Sequence, residues 1–168
     1  MMLIRKATRA DIPAVHRLIK ELATFEKAPD AVTNTVADMA EDCFGERPVF
    51  GCHVAELIEE SSGGSSTTST ATATIVGMAI YYIKYSTWKG KGLYLDDLIV
   101  TEKHRGKGIG RKLFDAYVEE AKAMRANQLH WQVLDWNTPA IKFYKKLGAT
   151  VEVEWLDCKI NKGERGLL

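Results

Sequence analysis

The sequence predicts a mixed α/β fold, with a mostly antiparallel central sheet flanked by helices. Three observations carry that reading. Apolar residues recur at helical spacing in 11–25 and 109–124. Apolar strand-like runs at 50–58, 74–85 and 92–100 follow one another with no helical stretch between them, as in hairpins. From residue 92 onward strands and helices alternate, as in βαβ units.

The elements follow in order. Residues 2–7 (MLIRKA) predict a first strand. Thr8 and Asp11 offer capping oxygens, and Ile12, Val15, Leu18, Ile19, Leu22 and Phe25 keep a helical period, so a helix is expected over 11–25. Asp38, Met39 and Phe44 mark a second short helix ending near Gly45. Strands are expected at FGCHVAELI (50–58) and TIVGMAIYYIKY (74–85). Between them, ten of the fourteen residues in 61–74 are Ser or Thr. Such a segment buries too little apolar area to repay ordering, so a mobile loop is expected there, with a modified tract as the functional alternative. GLYLDDLIV (92–100) predicts a strand, 109–124 a helix and QLHWQVLD (128–135) another strand. Asn137 caps a helix with Pro139 in its first turn, Gly148 ends it, and a last strand or two are expected in 150–160. No internal repeat is visible, so residues 1–168 are expected to form one domain.

The bulk numbers exclude several classes. A net charge of +1 argues against a general nucleic-acid binder, whose phosphate-tracking surface makes the whole domain basic. The three cysteines, Cys43, Cys52 and Cys158, include no C-x-x-C pair, so neither a disulfide framework nor a metal site is expected. The longest apolar run, 75–83, is too short to cross a bilayer, and no membrane partner is expected. The opening MMLIRKATRAD lacks an apolar signal core, so the cytoplasm is the expected compartment.

The most informative stretch is VTEKHRGKGIGRKLF (100–114), where a strand ends at Val100 and a helix is expected from Ile109. Between lie Gly106, Gly108 and Gly110 among Lys103, His104, Arg105, Lys107, Arg111 and Lys112. A helix start presents free N–H groups and the positive end of its dipole, and glycines let a bulky anion approach the backbone. A solvated helix entry is the bland alternative. The spacing is not that of a P-loop, nor of G-x-G-x-x-G, because Arg111 stands at the last glycine.

What does stand here is Arg105-x-x-Gly108-x-Gly110, followed by Asn137-x-x-Ala140-x-x-x-Tyr144. With LYLDDLIV before them, these motifs resemble the strand, coenzyme A turn and final segment of the GCN5-related N-acetyltransferases (GNAT), in that order. LIKELATFEKAPD, YSTWKGKGLYLDDL and VLDWN further resemble the diamine (spermidine/spermine) branch, most of all its thialysine-acetylating members. The likeness runs from Ile4 to about Ala149.

The resemblance implies acetyl transfer from acetyl-CoA to a primary amine, no metal, and a homodimer. The coenzyme would be held by Leu98, Ile99, Val100, Arg105, Gly106, Lys107, Gly108, Ile109, Gly110, Arg111, Asn137 and Ala140. An amine is mostly ammonium near neutral pH, so the site needs carboxylates and a base. Asp96 is assigned as amine binder and base, directly or through a water, and Asp97 to structure or substrate orientation. Neighbours on a regular strand point to opposite faces, so both reach one site only through a bulge, which the family has in this strand. Tyr144 matches the family's general acid, although Ile141, Tyr144 and Leu147 also make an ordinary apolar stripe. Phe25, Glu26, His130, Trp131 and Gln132 match substrate-side positions. EKAPD carries few acids for a long polycation, which favours a small amine such as thialysine or a lysine analogue. Acetylation of a protein lysine or N-terminus, and a non-catalytic coenzyme A-binding module, are the alternatives.

Overall fold

The computed structural model describes residues 1–60 and 71–160, in two compact units, 1–132 and 133–168. The Ser/Thr-rich segment expected to be mobile lies for the most part outside the described residues.

In the first unit, β1 (Met2–Lys6) leads into α1 (Ile12–Phe25), which follows Asp11 without a side-chain cap from it and has Pro13 in its first turn. α1 buries Ile12, Val15 and Leu18, three of the residues in its predicted stripe. It closes on Lys27 at φ 62, with the Ala28 N–H donated to Ala23 O at 2.9 Å, a left-handed helix stop built without glycine. α2 (Val36–Phe44) starts where the Thr35 hydroxyl accepts the Asp38 N–H, and it ends at Gly45.

The strands β2 (Gly51–Glu60), β3 (Ala71–Ser86) and β4 (Gly90–Val100) form an antiparallel meander beside β1. β3 begins earlier than residue 74, because Ala71 to Thr74 pair with β2. After β4, the helix α3 (Ile109–Ala123) crosses over to β5 (Gln128–His130), which pairs parallel to β4. The sheet order is β1-β2-β3-β4-β5. The α1–α2 layer packs one main core against the sheet, with Ile12, Val15, Leu18 and Met39 on Val54, Met78, Ile80 and Ile99. α3 contributes Leu113, Phe114 and Tyr117; the Tyr117 ring lies 6.1 Å from Tyr81, and its hydroxyl donates to Leu93 O at 2.6 Å.

The second unit contains α4 (Thr138–Lys146), capped by Asn137 as expected. Two expectations are corrected. The strand predicted over 128–135 keeps only its first three residues. Its pairing ends at Tyr94↔His130, two residues before the bulge in β4 described below, where the regular ladder of the partner strand is interrupted. The strand predicted in 150–160 is absent, and those residues run irregularly with Val153, Trp155 and Leu156 exposed. Their alternation suits a strand, but β-structure needs a neighbour to pair with, and the described residues of this unit hold none.

Candidate active site

The site is built on β4. Ile80 faces Asp97 and Tyr81 faces Leu95, so Asp96 is the extra residue of a β-bulge. Regular alternation would send Asp96 and Asp97 to opposite faces; the bulge lets both line one cavity of about 500 Å³. Ile80 and Tyr82 complete the sheet wall of this cavity. The opposite wall is Ile19 of α1 with Met39 and Asp42 of α2, and Asn34 and Phe50 sit in the segments flanking α2.

The two bulge carboxylates differ. No hydrogen bond or ion pair reaches either among the described residues. Burial, and then the charges of Asp96 and Glu26, push the Asp97 carboxyl up to about 7. Asp96 is the more exposed, and burial alone raises its carboxyl. The Tyr82 phenol is also raised, by burial and then by Asp96, and its ring stacks on Tyr94 at 5.0 Å.

Beyond the bulge, the outer edge of β4 has no pairing strand among the described residues. The Thr101 N–H is donated to Val76 O on the β3 side at 2.9 Å. Alternation then turns the backbone groups of Leu98 and Val100 to the other side, where β5 no longer pairs, and those of Ile99 toward β3. The Val100 carbonyl is already taken by Arg105 Nε at 2.8 Å, and the Arg105 guanidinium lies 5.4 Å from the centre of the Phe25 ring.

The glycine turn follows. Gly106 and Gly108 have φ of 74 and 76, and among the described residues a Cβ on either would meet no atom within 4 Å beyond its chain neighbours. Gly108 caps α3 with no side chain on the helix N-terminus, and the first helical bond there is Lys112 N–H to Gly108 O at 3.1 Å. The N–H groups of Ile109, Gly110 and Arg111 are therefore the unsatisfied donors of a helix start, beside open space. Lys107 is exposed, and Arg111 is turned to Asp115 at 2.8 Å. In the second unit, Asn137 Oδ1 accepts the Ala140 N–H at 3.3 Å, and Tyr144 is buried with its ring 5.3 Å from Phe143.

The remaining predicted residues lie outside the cavity lining. Phe25 is partly exposed under Arg105, and Glu26 follows it at the end of α1, with a carboxyl raised by burial. His130 Nδ1 accepts from Lys84 Nζ at 2.9 Å, Trp131 packs edge-on against Phe114, and Gln132 Oε1 accepts the Tyr94 hydroxyl at 3.1 Å.

Residues 29–149 match the model of the Acetyltransferase (GNAT) family. A thialysine N-epsilon-acetyltransferase of Bos taurus is 39% identical over 97% of this chain and 94% of its own length. This chain belongs to the GCN5-related N-acetyltransferases. It is therefore an acyltransferase, and members of this family take acetyl-CoA as cosubstrate. A spermidine/spermine N(1)-acetyltransferase-like protein of Homo sapiens is 37% identical over 96% of this chain and 23% of that protein. An L-ornithine N5-acetyltransferase of Arabidopsis thaliana is 28% identical over 94% and 83%. Among solved structures, an aminoglycoside acetyltransferase in complex with sisomicin has a TM-score of 0.71 at 18% identity, covering 95% of each chain, a likeness of fold.

The cavity is also lined by residues that the sequence reading did not single out. Asp42 lies three residues after buried Met39, on the same side of α2, and Tyr82 lies two after Ile80, on the same face of β3. Both periodicities are visible in the sequence. Which face of α2 meets the bulge of β4 is set by tertiary packing, and no local signal carries it.

No helix of the described residues is long and apolar enough to cross a membrane.

Proposed function

We propose that the chain acetylates a primary amine of a small molecule, of the thialysine, lysine-analogue or diamine class, with acetyl-CoA as donor. The observation that carries this is the bulge of β4, which aims two unpartnered carboxylates into one cavity beside a free strand edge. The glycine turn suits the donor's pyrophosphate, since a helix start leaves backbone N–H groups without partners in the helix and the space beside Gly106 and Gly108 is open. Leu98 and Val100 would hold the pantetheine arm along the free edge, with Asn137 and Ala140 as further coenzyme contacts. Bound there, acetyl-CoA supplies the thioester.

The sequence reading makes Asp96 the base; burial supports moving that role to Asp97. Passing a proton from an amine of pKa near 10.4 to an ordinary carboxylate is uphill by about 9 kcal/mol. For a carboxylate raised to about 7 it is uphill by only about 5 kcal/mol. Asp96, more exposed, holds the arriving ammonium, and Asp97 takes its proton. The Leu98 N–H on the free edge serves as an oxyanion donor. The family resemblance gives Tyr144 the part of the acid that returns a proton to the departing thiolate. Glu26 adds negative charge near Asp97, and the resemblance extends this reading to a homodimer.

Thiol release from acetyl-CoA, measured with thialysine, lysine, ornithine, spermidine, putrescine and a lysine peptide, tests the reading. Turnover with a small amine in preference to the peptide is expected. Turnover with the peptide alone would reassign the acceptor, and tight acetyl-CoA binding with no release would leave a binding module.

A further inference from the structure

The sheet wall of the cavity continues along β3 past the carboxylates. Ile80 and Tyr82 line the cavity, and strand alternation puts Lys84 next on the same face. On β4, Tyr94 stands opposite Tyr82 and two residues before Asp96. The Tyr82 and Tyr94 rings stack at 5.0 Å, so aromatic surface runs from the bulge toward Lys84. Lys84 leans over that surface. Its Nζ lies 5.3 Å from the centre of the Tyr94 ring and donates to His130 Nδ1 at 2.9 Å. An imidazole nitrogen that accepts a hydrogen bond carries no proton of its own, so these contacts orient the ammonium without neutralising it. No carboxylate pairs with Lys84 among the described residues. Ile80 faces Asp97, and Lys84 follows Ile80 by four residues, about 13 Å along the strand. One sheet face thus carries two unpaired acids at one end, an unpaired ammonium at the other, and two phenol rings between. Opposite charges held apart in this way are complementary to a ligand that carries both, with methylenes lying over the rings. A diamine would set its second ammonium against Lys84.

We propose that Lys84 binds the carboxylate of an amino-acid acceptor whose side-chain amine reacts at the bulge. The enzyme thereby favours amino acids with a terminal amine over the diamines that lack only the carboxylate. The inference rests on the reading that Asp96 and Asp97 receive the reacting amine. It separates two acceptor classes that the proposed function holds together, and it makes His130 a positioning residue for the Lys84 ammonium. A charge at the far end of the acceptor acts on binding rather than on chemistry, so the selection falls in KM.

The test compares lysine with 1,5-diaminopentane and ornithine with 1,4-diaminobutane, by thiol release at saturating acetyl-CoA. Each pair differs by one carboxylate, and lysinamide, which keeps the shape and loses the negative charge, is the control. Wild type is expected to favour the amino acid by kcat/KM, with lysinamide behaving like the diamine. Lys84 is exposed, so water screens its charge, and Lys84→Gln is expected to reduce the lysine-to-diamine ratio about 5-fold, through the KM of lysine. Lys84→Arg is expected to restore part of the ratio, and Lys84→Glu to reverse the preference. A ratio unchanged by Lys84→Gln overturns the proposal, as does a wild type that favours the diamine. Calorimetric titration with lysine and 1,5-diaminopentane in the presence of coenzyme A reads the same ratio without turnover. If no amine is acetylated, the proposed reaction fails, and the calorimetric ratio still decides the role of Lys84. Binding of neither compound overturns both readings. Thermal melts check that the three variants fold like the parent.

Discussion

Asp11 and Asp97 are two aspartates of one unit in opposite surroundings. Asp11 accepts both Arg5 Nη1 at 2.6 Å and Arg5 Nη2 at 3.0 Å, and also the Thr8 N–H and hydroxyl. Arg5 is held in turn by Glu56 at 2.9 Å. The Arg5 bonds, outweighing the effect of burial, hold the Asp11 carboxyl down at about 2. Asp97 has no such partner, and burial with like charges holds it at about 7. The same side chain is fully satisfied where it ties β1, β2 and the start of α1 together, and left unsatisfied where a ligand has to be met. An unsatisfied buried acid costs stability, and a fold keeps one where chemistry uses it.

The sharpest way to break this comparison is Asp97→Asn. It should lower kcat/KM about 100-fold or more, since the variant can accept no proton. It should also stabilise the protein at alkaline pH. The folded-state pKa of Asp97 lies above its unfolded value, so its contribution is complete below the ordinary carboxylate range and is lost as pH rises through about 7. Removing the charge should therefore gain on the order of 3 kcal/mol at pH 8. A variant that is inactive and also less stable at pH 8 would place Asp97 with the structural acids.

Asp11→Asn is the converse and should cost on the order of 2 kcal/mol, because Arg5 loses its main partner while partly buried. Here the folded pKa is depressed, so wild-type stability is present above the ordinary carboxylate range and falls as pH drops from about 4 to about 2. Denaturant melts of parent and variant should converge at the acid end. Equal differences at pH 7 and pH 2 would remove the ion pair from the account.

Much of this was legible before any coordinates. α1, α3 and the Asn137 cap follow from spacing and capping chemistry, which are local. The positive φ of Gly106 and Gly108 follows from where the glycines stand before a helix. The bulge came from family likeness, since LYLDDLIV alternates well enough to be read as regular. The raised carboxyl of Asp97 was out of reach, because its burial and the nearness of Glu26, seventy-one positions earlier in the chain, are products of packing. His130 and Gln132, expected on the substrate side, are paired with Lys84 and Tyr94, a fact of side-chain pairing that no spacing encodes. The strand expected in 150–160 has the right alternation and lacks a partner in its unit.

A smaller effect sharpens the contrast within the bulge itself. Asp96 is the first of the two charges that raise Asp97. The pH profile of wild-type kcat/KM should rise through about 7 as Asp97 ionises. In Asp96→Asn the midpoint of that limb should move to lower pH, while the rate on the plateau falls through weaker amine binding. A midpoint that stays in place would mean that the limb reports some other group.

The smallest effect extends the comparison to a base. His53 is buried, its Nδ1 has no hydrogen-bond partner among the described residues, and its ring stacks on Tyr81 at 5.3 Å. Charges face it from two sides, Lys6 of β1 and Glu120 of α3, which are paired with each other at 2.8 Å. Burial lowers its pKa below the ordinary 6.5, Glu120 opposes that shift, and Lys6 adds to it. The unfolded chain therefore takes up this proton first, and stability should decline as pH falls below about 6.5. His53→Phe keeps the stacking on Tyr81 and removes the titration, so its melting temperature should change less than that of the parent between pH 7 and pH 5. Parallel curves would assign the acid sensitivity in this window to other groups. The sign matches that of Asp11 and opposes that of Asp97, because a buried histidine is kept neutral by the same cost of burying charge that keeps Asp97 protonated, while the proton stands on the other side of the balance.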